Sequence, residues 1–265
     1  MRASTIVWVH GWGASPRVWD ETVRQLPGFR HRLFTYEGCS SVESMRERLR
    51  RTIRKEATAG PLALVGWSMG GMLALEAAMA FASERERADG CTGGGPASDL
   101  SVAAVGATLR FVGDDRTRAW PARIVRRMRA QLRKKPEETL RAFAEAMLSE
   151  DERAERQAAV RTAVEGGMPV SLDDTDFSAE GLDAGLGYLL EADLTERWER
   201  YRASRNGRPP VVWLHGSDDP ICPLGALSDV PDDAKIVFAG AGHMPFRTRP
   251  EAFAGKLGEW LHGNR

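Results

Sequence analysis

Three short stretches of this chain hold residue types that together suit nucleophilic acyl transfer: GWSMGG around Ser68, HGSDDPICP around Asp218 and Asp219, and AGAGHMPF around His243. A serine hydroxyl is a poor nucleophile until a neighbouring base takes its proton. Ser68 lies between Gly66 and Gly70, in the G-x-S-x-G spacing of a sharp strand-to-helix turn whose flanking positions crowd each other unless small. The turn would place the hydroxyl at a helix N-terminus, where free N–H groups favour developing negative charge.

Of the five histidines, His31 and His262 lie in polar stretches, and His10 and His215 each follow an apolar run and precede glycine. His243, in a Gly-rich loop near the C-terminus, is the best base. The acid that orients it is expected on the loop after residues 211–214, where the G-x-x-D-x-x-x-P spacing from Gly216 to Pro223 selects Asp219, with Asp218 as the alternative. The order Ser, Asp, His is that of α/β-hydrolases. HGWG at 10–13 follows another apolar run, so its loop can aim the Trp12 N–H, together with the Met69 N–H, at an oxyanion.

Such a site needs strands that stop side by side. TIVWV at 5–9, PLALV at 61–65 and the runs 101–105, 211–214 and 236–238 have the length and β-branched character of buried strands, each followed by a Gly-containing loop and then helical spacing. Alternating strand and helix implies an α/β fold with a mainly parallel sheet flanked by helices. Between Trp120 and Leu194 the alternation stops, and amphipathic stretches near 121–134, 136–149, 151–165 and 179–191 indicate a helical cap insertion. The expected division is a hydrolase core of 1–119 and 195–265 with a cap of 120–194. Residues 88–99 (ADGCTGGGPASD) carry no assignable chemistry.

The 265 residues, 42% hydrophobic and 28% charged, suit one large core. No apolar stretch approaches membrane-spanning length, and the first apolar run is short and cut off by His10 and Gly11, unlike a secretory signal. Cys39, Cys91 and Cys222 are odd in number and widely separated, which argues against a disulfide framework or a thiolate metal site. A reduced cytoplasmic protein, monomeric and without nucleic-acid or membrane partners, is the expectation. The zero net charge hides polarity, because residues 116–135 hold nine Arg or Lys and no Asp or Glu, while acids gather at 150–152 and at Asp173, Asp174 and Asp176. The spacing of Ile124, Val125, Met128 and Leu132 in that basic run also fits a solvated amphipathic face.

HGWG with Val18 and Trp19, GWSMGG, LRFVGDD with Trp120 and Pro121, GLGYLLEADLTERW, HGSDDPICP and AGAGHMPF together resemble the BioH family of pimeloyl-acyl-carrier-protein methyl ester esterases, over most of the chain. The resemblance implies a serine carboxylesterase of biotin precursor synthesis, with Ser68, His243 and Asp219 as triad, Trp12 and Met69 as oxyanion donors, and no metal or organic cofactor. It also implies that Trp12, Phe143 and Met147 bind substrate, and that Arg133, Arg141, Arg156 and Arg161 of the basic cap dock an acidic acyl-carrier protein. Phe143 fits a core aromatic of a cap helix equally well. The chain departs from the family in three ways: FTYEGCSS at 34–41 replaces a D-x-P-G-x-G-x-S stretch, residues 88–99 form an apparent insertion, and the strands commonly found ahead of HGWG are missing, so the sheet edge should be shorter or covered differently. A short-chain carboxylesterase, a thioesterase, a carbon-carbon hydrolase or lyase like that of menaquinone synthesis, and a catalytically silent binding protein are the alternatives.

Overall fold

The computed structural model describes residues 4–88, 100–161, 175–204 and 208–263. In chain order the elements are β1 (Thr5–Val9), α1 (Asp20–Gln25), β2 (Arg30–Leu33), α2 (Val42–Ala57), β3 (Leu62–Trp67), α3 (Met69–Ala88), β4 (Leu100–Val105), α4 (Ala122–Leu132), α5 (Pro136–Ala146), α6 (Glu150–Arg161), α7 (Ala179–Glu191), α8 (Thr195–Ala203), β5 (Val211–Gly216), β6 (Lys235–Phe238), α9 (Pro245–Thr248) and α10 (Pro250–Gly263). The six strands form one parallel sheet in the order β2-β1-β3-β4-β5-β6. Helices α2, α3 and α8 pack together beside it, as do α1 and α10.

The strands expected from apolar runs are all present, and β1 and β3 are buried at every position. The one missed is β2, RHRL, which sits at the sheet edge beside β1 with alternate residues exposed. An edge strand needs only one packed side, and its two arginines and histidine discourage pairing with another chain. Its polarity hid it from a search for apolar runs.

Register brings the chemistry together. Val9 pairs with Gly66 and Gly66 with Ala104, so the loops leaving β1 and β3 emerge side by side. Gly216 at the end of β5 pairs with Phe238 at the end of β6, which does the same for the HGSDD and AGAGH loops. Behind them Trp8, Trp19, Trp67, Phe246 and Phe253 form a chain of ring contacts with centroids 4.4–5.9 Å apart.

Between β4 and β5 the described chain runs through α4 to α8. Helix α4 buries Val125, Met128 and Leu132 against α5 and α7 and leaves Ile124 half-buried, much as its spacing suggested. The 89–99 part of the Gly-rich stretch, with Cys91, lies outside the described residues; Cys39 and Cys222 are buried and unbridged. Among the described residues no helix is long and apolar enough to cross a membrane.

Candidate functional site

Ser68 occupies the single residue between β3 and α3 and has φ of 55°, the only described non-glycine with positive φ. That left-handed backbone costs a residue with a Cβ about 1–3 kcal/mol, so the neighbours must enforce it. Ser68 N–H donates to Val105 O at 2.8 Å, and Ser68 O accepts from Met72 N–H at 3.0 Å as the first turn of α3. The flanking glycines allow the approach: a methyl group at Gly66 would lie 2.5 Å from Gly70 O, and one at Gly70 would lie 2.4 Å from His10 O. The second contact shows that the GWSMGG turn is pressed onto the HGWG loop. A methyl at Gly11 would fall 3.1 Å from Ser68 Cβ.

His243 is fully buried, and its Nδ1 lies 2.8 Å from Asp219 Oδ2. Facing a carboxylate, Nδ1 carries the proton, which leaves Nε2 as the acceptor nitrogen of the neutral ring. Nε2 is buried with no hydrogen-bond partner among the described residues. The other Asp219 oxygen accepts the amides of Ile221 and Cys222, each at 2.8 Å. Both oxygens are therefore occupied, and Asp219 is fixed before it orients the imidazole. Asp218 lies on the surface side of the loop, where it accepts from the Ser217 hydroxyl at 3.2 Å, and it is Asp219 that meets His243.

The serine turn and the histidine loop touch. Trp67 Nε1 donates to His243 O at 2.9 Å, and a methyl on Gly106, the residue after the one that holds the Ser68 amide, would lie 3.1 Å from His243 Nδ1. Asp219, Cys222 and His243 offer ligand-type atoms within 4.8 Å of one another. Their chemistry is that of a hydrogen-bond network: Asp219 is saturated by N–H donors, and burial, reinforced by the Asp219 charge, pushes the Cys222 thiol far above its ordinary pKa and keeps it protonated.

The remaining histidines have structural partners. His215 is fully buried with Nε2 2.6 Å from Cys222 O, bracing the Asp219 loop, and burial holds its pKa below the usual value although Asp219 opposes the shift. His31 accepts from Trp8 Nε1 at 3.0 Å, and His262 meets Gly258 O. His10 contacts Gly11 O at 3.0 Å through Nδ1 and Asp176 through Nε2 at 3.1 Å. Asp176 also accepts from the Thr35 hydroxyl at 2.7 Å and the Tyr36 amide at 2.9 Å. Burial alone would raise its pKa, but these donors hold the carboxyl below the ordinary range.

Helices α5 and α7 pack against the Trp12 loop. Trp12 is 1% exposed, donates Nε1–H to Leu182 O of α7 at 2.8 Å, and meets the Phe143 ring edge to face at 5.3 Å. Phe143 of α5 and Met147 just after that helix are both buried. From Phe143 a groove of about 740 Å³ runs outward between α4 and α5, with Trp120, Ile124 and Met128 as its apolar wall and Arg123, Arg127 and Lys135 at its rim.

The basic residues divide. Arg129 and Arg133 share the Asp183 carboxylate of α7, Arg118 pairs with Asp229 and Lys135 with Glu138. The acids that the run itself lacks thus come from other elements. Arg123, Arg127 and Arg141 are exposed with no described ion pair, Arg156 is half-buried, and the Arg161 side chain lies outside the described residues.

Two functional candidates were not singled out from sequence. Asp176 was legible only as part of an acidic cluster. Glu152 closes a Ser149-x-x-Glu152 capping box that could have been read at the start of α6.

A sheet of this topology with a strained serine turn and a buried histidine–carboxylate pair defines the α/β-hydrolase class. The family model described as "Alpha/beta hydrolase family" matches residues 6–256, and the chain belongs to that family. It is similar to the pimeloyl-[acyl-carrier protein] methyl ester esterase of Vibrio vulnificus, 23% identical over 269 residues that cover 95% of this chain and 92% of the relative. The protein of the same description from Edwardsiella ictaluri is 27% identical over 278 residues, covering 97% and 93%. Among solved structures, an esterase from Exiguobacterium antarcticum superposes with TM-score 0.70 at 16% identity, over 99% of this chain and 93% of its own. The enol-lactonase of Burkholderia xenovorans does so with TM-score 0.70 at 15% identity, over 99% and 92%.

Proposed function

We propose that the protein is a serine carboxylic ester hydrolase acting on the methyl ester of pimeloyl-acyl-carrier protein. The observation that carries the catalytic part is the Ser68 turn, held at φ of 55° beside a buried His243 whose Nδ1 is engaged by Asp219 and whose Nε2 is open. Ser68 Oγ attacks the ester carbonyl while His243 Nε2 takes its proton, and Asp219 stabilises the resulting imidazolium. The amides of Trp12 and Met69 hold the tetrahedral oxyanion; Met69 opens α3, so its N–H has no intrahelical acceptor. His243 returns the proton to the departing methanol, then activates water to hydrolyse the acyl-enzyme.

In this reading residues 120–194 cap the core formed by 1–119 and 195–265. The groove between α4 and α5 takes the acyl chain; Phe143 lines it and meets the Trp12 ring beyond, and Met147 follows the lining residue Ala146. The substrate assignment is supported by the likeness to pimeloyl-[acyl-carrier protein] methyl ester esterases and by the positive rim of the groove. Carrier docking falls to Arg123, Arg127, Arg141 and Arg156, with Arg161 beyond the described residues; Arg133 contributes while sharing Asp183. Electrostatic docking acts mainly on encounter rate and register.

The test is hydrolysis of pimeloyl-carrier methyl ester beside a free p-nitrophenyl ester. Ser68→Ala should abolish both activities and fluorophosphonate labelling; full retention overturns the mechanism. Charge reversal of Arg123 and Arg127 together should lower kcat/KM for the carrier substrate at low salt and spare the free ester. Equal effects on both substrates refute the docking surface.

A further inference from the structure

We infer, on the footing that His243 is the base proposed above, that Glu152 of α6 is a positioning residue that holds the His243 loop in register through the Gly242 amide. Glu152 is 4% exposed, and both its oxygens accept backbone N–H groups. Oε2 takes the Ser149 amide at 3.0 Å while Ser149 Oγ takes the Glu152 amide at 3.2 Å, a capping box that closes the N-terminus of α6. A capping box uses one carboxylate oxygen. The other, Oε1, leaves the helix and takes the amide of Gly242, the residue before His243, at 3.0 Å.

The rest of the 147–152 segment grips the same loop. His243 N–H donates to Met147 O at 2.9 Å, and the Ser149 hydroxyl donates to Gly240 O at 3.1 Å. The fit leaves no slack, since a methyl at Gly242 would lie 2.6 Å from both Glu152 Oε2 and Met147 O. The two amides that lead into the imidazole therefore end outside the sheet, one on Met147 in the α5–α6 turn and one on Glu152 in the first turn of α6. Rotation of the Gly242–His243 peptide would swing the ring away from Asp219, 2.8 Å from its Nδ1. Met147 directly follows Ala146, the last residue of α5 and part of the lining of the proposed acyl groove, so the base and the groove share one support.

Glutamate suits this position because both partners donate. A carboxylate accepts at both oxygens, whereas glutamine has one acceptor and would turn its NH2 toward a backbone N–H. Aspartate keeps the charge at the helix N-terminus but is one methylene too short to cap α6 and reach Gly242 together.

The test compares Glu152→Gln and Glu152→Asp with Ser41→Ala, which opens the remote capping box of α2. Both Glu152 variants should lower kcat for a p-nitrophenyl ester roughly 10- to 100-fold with KM within about twofold, as expected for a displaced catalytic group. The low-field proton resonance of the His243 Nδ1–H bond to Asp219 should move or broaden in both. Ser41→Ala should lower Tm while leaving kcat and that resonance as in wild type. If Glu152→Gln does not fold, Glu152→Asp carries the comparison. Wild-type kcat and resonance in a folded Glu152 variant overturn the positioning role, and, if His243→Ala is inactive, they overturn it alone. Full activity in His243→Ala overturns the mechanism beneath it and the positioning role with it.

Discussion

Gly185 of α7 lies directly against Trp12: a methyl group at Gly185 would fall 2.6 Å from Trp12 Cδ1, and 3.1 Å from Met69 Sδ. The two residues whose amides face the proposed oxyanion are thus both packed under one glycine. Gly185→Ala sets a helix-propensity gain of about 1 kcal/mol against an overpacking cost of about 1–3 kcal/mol. Net stability should therefore fall by no more than about 2 kcal/mol, while the displaced Trp12 loop should lower kcat by roughly tenfold or more. Thermal melts and ester kinetics on one preparation check both; unchanged kcat would show that the loop tolerates the shift.

Asp219→Asn tests the orientation of the base. Asp219 accepts three N–H groups, from Ile221, Cys222 and His243. An asparagine in either flip turns its NH2 toward at least one of them, and the flip that preserves the Ile221 and Cys222 bonds reverses the His243 tautomer. A kcat loss of roughly 10³ to 10⁴ with little change in KM is expected, on the scale of tautomer reversal in other serine hydrolases. Stopped-flow turnover of a p-nitrophenyl ester measures it, and a loss under about tenfold would make the Asp219 contact dispensable.

The parts of this site legible in the sequence are those whose chemistry is local. Ser68, His243 and Asp219 announce themselves as candidates because a strained turn needs glycines at fixed offsets and each of the three follows a strand. Parallel register then does the rest, by setting Val9 beside Gly66 and Gly216 beside Phe238. Strand β2 was missed because an edge strand can be polar. The basic run looked free of acidic partners because Asp183, which neutralises Arg129 and Arg133, is about 50 residues away on α7. Glu152 and Asp176 illustrate the same limit: each acts through amides or a histidine brought close only by the tertiary fold.

Asp176 ties the segment before α7 to the HGWG loop, with His10 at 3.1 Å, Thr35 at 2.7 Å and the Tyr36 amide at 2.9 Å. Asp176→Ala strands all three donors around a mostly buried gap, so it should cost about 2–4 kcal/mol. Thr35→Val removes a single donor and should cost about 1 kcal/mol. Urea denaturation measures both. Equal losses would mean that the Thr35 contact alone carries the link, and His10 would then have no part in anchoring the loop.

His215 sets a pH limit on the fold. Burial keeps its folded-state pKa below the ordinary value, and its Nε2–H is held by Cys222 O at 2.6 Å, so the native protein contains the neutral ring. In the unfolded chain the same imidazole titrates near about 6.5. Between the lowered folded value and about 6.5 the unfolded state binds the extra proton, so stability rises with pH across that window. The contribution is complete above about pH 6.5 and is lost as pH falls toward the folded value, at no more than about 1.4 kcal/mol per pH unit for one proton. The urea midpoint should therefore drop between pH 7.5 and pH 5.5, about one unit on either side of the unfolded pKa. His215→Gln, whose amide can still donate to Cys222 O, should flatten that drop. Because the two proteins differ only at position 215, the difference between the two slopes isolates His215, and parallel curves would assign the pH sensitivity elsewhere.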